Sequence, residues 1–238
     1  MLTRRSLAGL ATGAAMALAG CNTSARRFRE RLTLVVDTPE GKVSGSSVTE
    51  HEAVFQDGWW GGMAGHSRLF RTRGEATVVD LGTRGLLFAL LGRDDERKDS
   101  AGPGSYEILI FGGMKERTSD DGELARFIDT LNHARPKGDI PIKNLGLLIH
   151  FRDPNDPKTV ERVDPINLPA SFGAGVKLAQ ATIEIVNEPL TTGIEARLPW
   201  MQRFLTLGAS LDGDTNIARR LQAPFANKLG TGCFRTGM

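Results

Sequence analysis

Residues 86–91, Leu-Leu-Phe-Ala-Leu-Leu, are apolar on both faces of any strand they form. Such a strand holds only when other layers cover it on both sides, so this chain has to stack. The neighbouring sequence shows how. Residues 76–81 precede it across Gly82-Thr83-Arg84-Gly85, a turn of hairpin length. Earlier, the β-rich runs 32–37 and 43–48 flank Thr38-Pro39-Glu40-Gly41-Lys42. There Pro39 presets a turn and Gly41 can take positive φ, the chemistry of a β-hairpin whose second strand can run on to Phe55. Residues 106–111, 145–151 and 181–186 are expected as further strands. Arg152-Asp153-Pro154-Asn155-Asp156-Pro157 reads as a turn leading to a partner strand at 159–163.

One helix is clear. Leu124, Phe127, Ile128 and Leu131 repeat at i, i+3, i+4 and i+7, Asp120 with Glu123 resembles a capping pair, and Pro136 closes the segment. Pro199 suits the first turn of a short helix carrying Trp200, Phe204 and Leu205. Residues 217–225 can add a last turn or two before a glycine-rich tail expected to be loose. Short strands joined by hairpins, with one good helix, do not alternate as a parallel α/β sheet does. The expected fold class is α+β, mainly β: an antiparallel sheet or two-layer sandwich, with a helix at about 121–133 and short C-terminal helices. A single domain over 32–238 is expected, any subdivision falling near 112–120. The segment 58–66 is too glycine-rich for a helix. Its Trp59 and Trp60 are expected to split, one capping the core and one covering a sheet edge.

The first 21 residues are organised differently. Arg4 and Arg5 open the chain, an uncharged Ala/Gly/Leu run follows, and Leu18-Ala19-Gly20-Cys21 closes it. This is the layout of an export signal, too short for the roughly 20 apolar residues of a membrane span. Leu18, Ala19, Gly20 and Cys21 resemble the lipobox of bacterial lipoproteins. The resemblance implies diacylglycerol on the Cys21 thiol, cleavage between Gly20 and Cys21, and an acyl chain, such as palmitate, on the new amino terminus. Two chains make a stable anchor, each methylene contributing about 0.8 kcal/mol. Thr3-Arg4-Arg5-Ser6-Leu7 also resembles a twin-arginine signal, and both export routes stay open. Asn22 after the cysteine, where inner-membrane retention often uses Asp, favours the outer membrane over the inner. Residues 1–20 thus read as signal peptide and 21–31 as a lipidated, polar tether. In it Arg26, Arg27, Arg29 and Arg31 can face anionic headgroups at about 1 kcal/mol each. The remainder resembles uncharacterised proteobacterial envelope proteins, a likeness that assigns no activity.

Composition narrows the partners. The chain carries 30 Lys and Arg against 28 Asp and Glu. Removing residues 1–20 takes away Arg4 and Arg5 and leaves a neutral domain, with no electrostatic footprint for nucleic acid. The two cysteines in the sequence are Cys21 and Cys233. Lipidation of Cys21 leaves no intramolecular disulfide, and Cys233 could pair only between chains.

Chemical motifs are sparse. His51-Glu52 begins like a zinc-protease signature, but Phe55 stands where the second histidine is needed. Asp212-Gly213-Asp214 begins like a calcium loop and then departs from it at Ile217 and Ala223. The glycine clusters match neither a phosphate loop nor a dinucleotide fingerprint, so no cofactor is expected. No Ser stands in Gly-x-Ser-x-Gly, and no catalytic residue is assigned. Asp153, Asp156 and Asp164 could hold a divalent cation, although Asp-Pro and Asn-Asp pairs are also turn formers. The expected function is a membrane-tethered, non-enzymatic binding or structural module of the cell envelope, meeting an envelope protein or polymer. The alternatives are a tethered hydrolase using His150 or His66, and a divalent-cation-binding protein.

Overall fold

The computed structural model describes residues 22–57, 67–113, 118–215 and 224–237. Its dominant feature is a hairpin of β1 (Asn22–Thr38) and β2 (Gly41–Asp57), seventeen residues each, paired along their whole length. Thr38 closes the turn, its hydroxyl accepting from the Glu40 amide and donating to the Gly41 carbonyl. The segment expected to be a polar tether, 22–31, is therefore the first half of β1. The reason is pairing: Arg27 and Arg29 lie opposite Glu52 and Glu50, and Phe28 and Glu30 on the other face are buried.

The other strands are β3 (Ser67–Glu75), β4 (Thr77–Asp80), β5 (Leu86–Ala89), β6 (Lys137–Asp139), β7 (Leu148–Phe151), β8 (Val160–Val163), β9 (Lys177–Val186) and β10 (Arg235–Thr236). Among the described residues they form two antiparallel sheets, in the orders β10-β3-β2-β1-β9-β6 and β4-β5-β7-β8. The chain is mainly β and α+β, as its hairpin pattern implies. Leu32, Leu34 and Val36 of β1 and Leu178, Ala181 and Ile183 of β9 pack on Val79, Leu87, Ala89 and Leu148 of the smaller sheet. The other face of β5 turns Phe88 into a second cluster with Phe151, Trp200 and Phe234. Strand β5 is thus covered on both sides, and each large apolar side chain so buried contributes about 1.5–3 kcal/mol. The sheets are in backbone contact at Gly45, where a Cβ would lie 1.9 Å from the Val78 carbonyl oxygen.

The helices are α1 (Tyr106–Phe111), α2 (Asp121–Ala134), α3 (Pro169–Phe172), α4 (Met201–Leu207) and α5 (Phe225–Lys228). Residues 106–111, expected as a strand, form α1 instead. Six apolar-rich residues carry no decisive period, and here Tyr106 and Ile110, one turn apart, pack together on the main core. Gly112, at φ 63°, ends the helix. Helix α2 has the expected extent, and the Asp120 carboxylate accepts from the Gly122 and Glu123 amides. Glu123 turns to the Thr118 hydroxyl and not back to Asp120, so the cap is one-sided. Trp200 is the N-cap of α4. The expected turn at 217–225 falls mostly outside the described residues. The tail expected to be loose is packed: Leu229 and Phe234 are buried and β10 pairs with β3, because Phe234 completes the aromatic cluster.

The charged loop after β5 folds around Asp94, which is 1% exposed. Its carboxylate accepts from Arg97 at 3.0 Å and from Arg162, and its amide donates to Ser100 at 2.8 Å. Burial alone would raise the Asp94 carboxyl, but the two guanidinium groups outweigh it and hold it below the ordinary range. A depressed folded-state value gives stability that is full above the unfolded value of about 3.9 and is lost as pH falls through the folded one. Asp94→Asn should cost about 2 kcal/mol at neutral pH. In urea titrations the gap between variant and wild type should close below about pH 4.

Candidate functional site

The inner face of the larger sheet has two coverings. The smaller sheet lies over residues 32–36 of β1, while Leu124, Ile128 and Leu131 of α2 lie over Phe28, Ala53, Phe55 and Ile185. Helix α2 is pinned by Arg68 to Asp121 in its first turn and by Arg26 to Asp129, about two turns further on, at 3.1 Å. Between the two coverings the face carries polar side chains. Phe28, His51 and Thr72 share one cross-strand row, and Glu30 lies opposite Thr49 in the next.

His51 Nε2 lies 3.0 Å from Glu30 Oε1, and its Nδ1 lies 3.1 Å from the Thr72 hydroxyl. The Thr49 hydroxyl lies 3.2 Å from His51 Nε2. Glu30 is 1% exposed and His51 7%. With the ring proton on Nε2, the imidazole donates to the carboxylate and accepts from Thr72, forming a carboxylate–imidazole–hydroxyl chain. Gly104, at φ +79°, lies against the ring, and a Cβ there would come 2.9 Å from Nδ1. Only glycine allows this approach.

A cleft of about 320 Å³ opens above this row. Phe28, His51 and Thr72 form its floor, Leu124, Phe127 and Ile128 of α2 one wall, and residues 103–105 with Ile108 the other. Phe70 of β3 stands at its mouth, 65% exposed. Among the described residues, Glu30 Oε2 and both carboxylate oxygens of the fully buried Glu107 have no hydrogen-bond partner. Unpaired buried polar atoms are costly and uncommon in a native fold. Glu107→Met, close in volume, should leave stability unchanged or raise it by about 1–3 kcal/mol in urea unfolding. A loss of that size would mean that the carboxyl is paired.

The outer face of the same strands is charged. Two cross-strand rows run over β1, β2 and β3: Arg27–Glu52–Arg71, with contacts of 2.6 and 3.5 Å, and Arg29–Glu50–Arg73, with contacts of 3.0 and 3.7 Å. The hydrogen bond from Arg27 holds the Glu52 carboxyl below its usual range despite burial. Each row carries two arginines and one glutamate, an excess of one positive charge.

The residues singled out in the sequence lie elsewhere. Gly20, Cys21, Trp59, Trp60 and His66 fall outside the described residues. The Asp153, Asp156 and Asp164 carboxylates accept from the amides of Asn155, Lys158 and Ile166 at 2.9–3.0 Å, so each holds its own turn. Among the described residues no three His, Cys, Asp or Glu side chains are grouped to hold a metal ion. His150 lies 3.2 Å from Glu161 Oε2 on the adjacent strand, in a separate hollow with Arg152 and Ser171. Asp212 accepts from Ser210, the Asp214 amide and Asn227, and Cys233 sits half-buried in the turn before β10. The Glu30–His51–Thr72 chain has no sequence signature, because its members meet only through the registers of three strands. Comparison of the chain with protein-family models, curated proteins and solved structures finds no match.

Proposed function

We propose that this protein is a lipid-anchored module of the cell envelope, outer membrane favoured, that binds an envelope component through the cleft beside α2. The observation that carries the anchor is the sequence itself: Arg4 and Arg5, a short apolar run, and Leu18-Ala19-Gly20-Cys21. Strand β1 starts at Asn22, one residue after the cysteine, which supports a further feature of the reading. Acyl chains on Cys21 would join the sheet with no spacer, so one end of the β1–β2 hairpin meets the bilayer. Labelling cells with a radioactive fatty acid should tag the wild-type protein and place it in the membrane fraction. Cys21→Ser should lose the label, and a labelled variant would contradict the anchor.

A second reading, a tethered hydrolase, is favoured by one arrangement, the chain Glu30–His51–Thr72 at the floor of an apolar cleft. In it Thr72 is the candidate nucleophile, His51 the base and Glu30 the group that orients the ring. If this reading holds, purified protein hydrolyses p-nitrophenyl acyl esters. Thr72→Val and His51→Asn should each lower that rate at least about 100-fold, and equal rates in the variants would remove the reading.

A further inference from the structure

Strand β3 is an edge along most of its length. Among the described residues its outer neighbour is β10, which pairs only with Gly74 and Glu75. The Thr72 carbonyl accepts the Thr236 hydroxyl, so Thr72 turns its backbone polar groups to the edge side. In an antiparallel strand such residues alternate, which puts the backbone groups of Phe70 and Arg68 on that side as well. Among the described residues these groups have no strand partner. The free edge borders the cleft, since the side chains of Phe70 and Thr72 face into it. On the opposite face of the same strand stand Arg71 and Arg73, the half-exposed ends of the two charge rows, each with one arginine in excess.

We propose that the β3 edge at residues 68–72 takes up an extended peptide segment of a partner protein, in which apolar and acidic residues alternate. This rests on the binding-module reading but not on the lipid anchor. The peptide's main chain completes the ladder at Arg68 and Phe70. Its alternate apolar side chains lie along the exposed Phe70 at the mouth of the cleft, and the intervening carboxylates meet Arg71 and Arg73. Period 2 makes the two demands compatible, because successive side chains of an added strand point to opposite faces. A second copy of this chain is a poor occupant. Two β3 edges side by side would bring the Arg71 and Arg73 side chains of both copies together on one face, and like charges across a strand pair repel. The same arginines keep the edge from self-association while leaving it open to an acidic strand.

The test uses the membrane-extracted mature chain in non-ionic detergent, with fluorescein-labelled octapeptides read by anisotropy against detergent blanks. The probe alternates glutamate and leucine. One control has the same composition in two blocks, and another replaces glutamate by lysine. The alternating acidic peptide should bind at least tenfold more tightly than either control. Phe70→Pro, which removes an edge-side N–H where proline is tolerated, should weaken it tenfold or more. Phe70→Ala, which keeps the backbone, should weaken it severalfold and serves if the proline variant does not fold. Arg71→Glu with Arg73→Glu should transfer the preference to the lysine peptide. Equal binding of the block peptide, or binding unchanged in both Phe70 variants, would overturn the proposal. So would dimerisation through β3 in sedimentation, or capture by phosphatidylglycerol vesicles with no peptide binding. Loss of fatty-acid label on Cys21 would leave the peptide result standing, and loss of peptide binding would leave the anchor standing.

Discussion

The pairing of β1 with β2 over seventeen residues is the constraint on which the rest of the structure depends. A hairpin that long is more than one covering layer can bury. Its inner face meets the smaller sheet along residues 32–36 and α2 near residue 28, and Glu30 falls between the two layers. Gly45 lets the second sheet approach to backbone contact, and the pins at Arg68 and Arg26 lay α2 across the other half. The cleft lies between α2 and residues 103–108, over the part of the inner face that the smaller sheet leaves uncovered.

The same hairpin sets the electrostatics. Strand alternation sends Phe28 and Glu30 inward and Arg27, Arg29 and Arg31 outward, so one stretch of sequence builds both the floor of the cleft and the charge rows behind it. Buried Glu50 and Glu52 each lie between two arginines, and losing either glutamate would leave its two arginines without their shared counterion.

Much of the fold was legible in the sequence where turn chemistry is local. Pro39 with Gly41, and Gly82 with Gly85, mark hairpins that need nothing distant to form. The two-sided apolar run at 86–91 called for layers on both faces, and Phe88 and Leu87 do divide between two clusters. What was not legible is non-local. Residues 22–31 look like a solvated tether until Glu50 and Glu52 stand opposite their arginines, although the period-2 series Phe28, Leu32, Leu34, Val36 already pointed back toward residue 28. Residues 106–111 have strand composition, yet Tyr106 and Ile110 on one helical face satisfy the core better. Of the site, Asp153, Asp156 and Asp164 drew attention because they cluster in sequence. Glu30, His51 and Thr72 cluster only in space.

Residue-resolved amide hydrogen exchange on the mature chain tests the central claim, that the sheet reaches back to the residues beside Cys21 and ends in an open β3 edge. The structure predicts that the amides of residues 29–31, paired between β2 and β9, are protected to the degree of those at 32–36. Along β3, Leu69 and Arg71 should be protected, with Arg68 and Phe70 exchanging quickly between them. Free exchange through residues 22–31, or uniform protection along β3, would contradict the account.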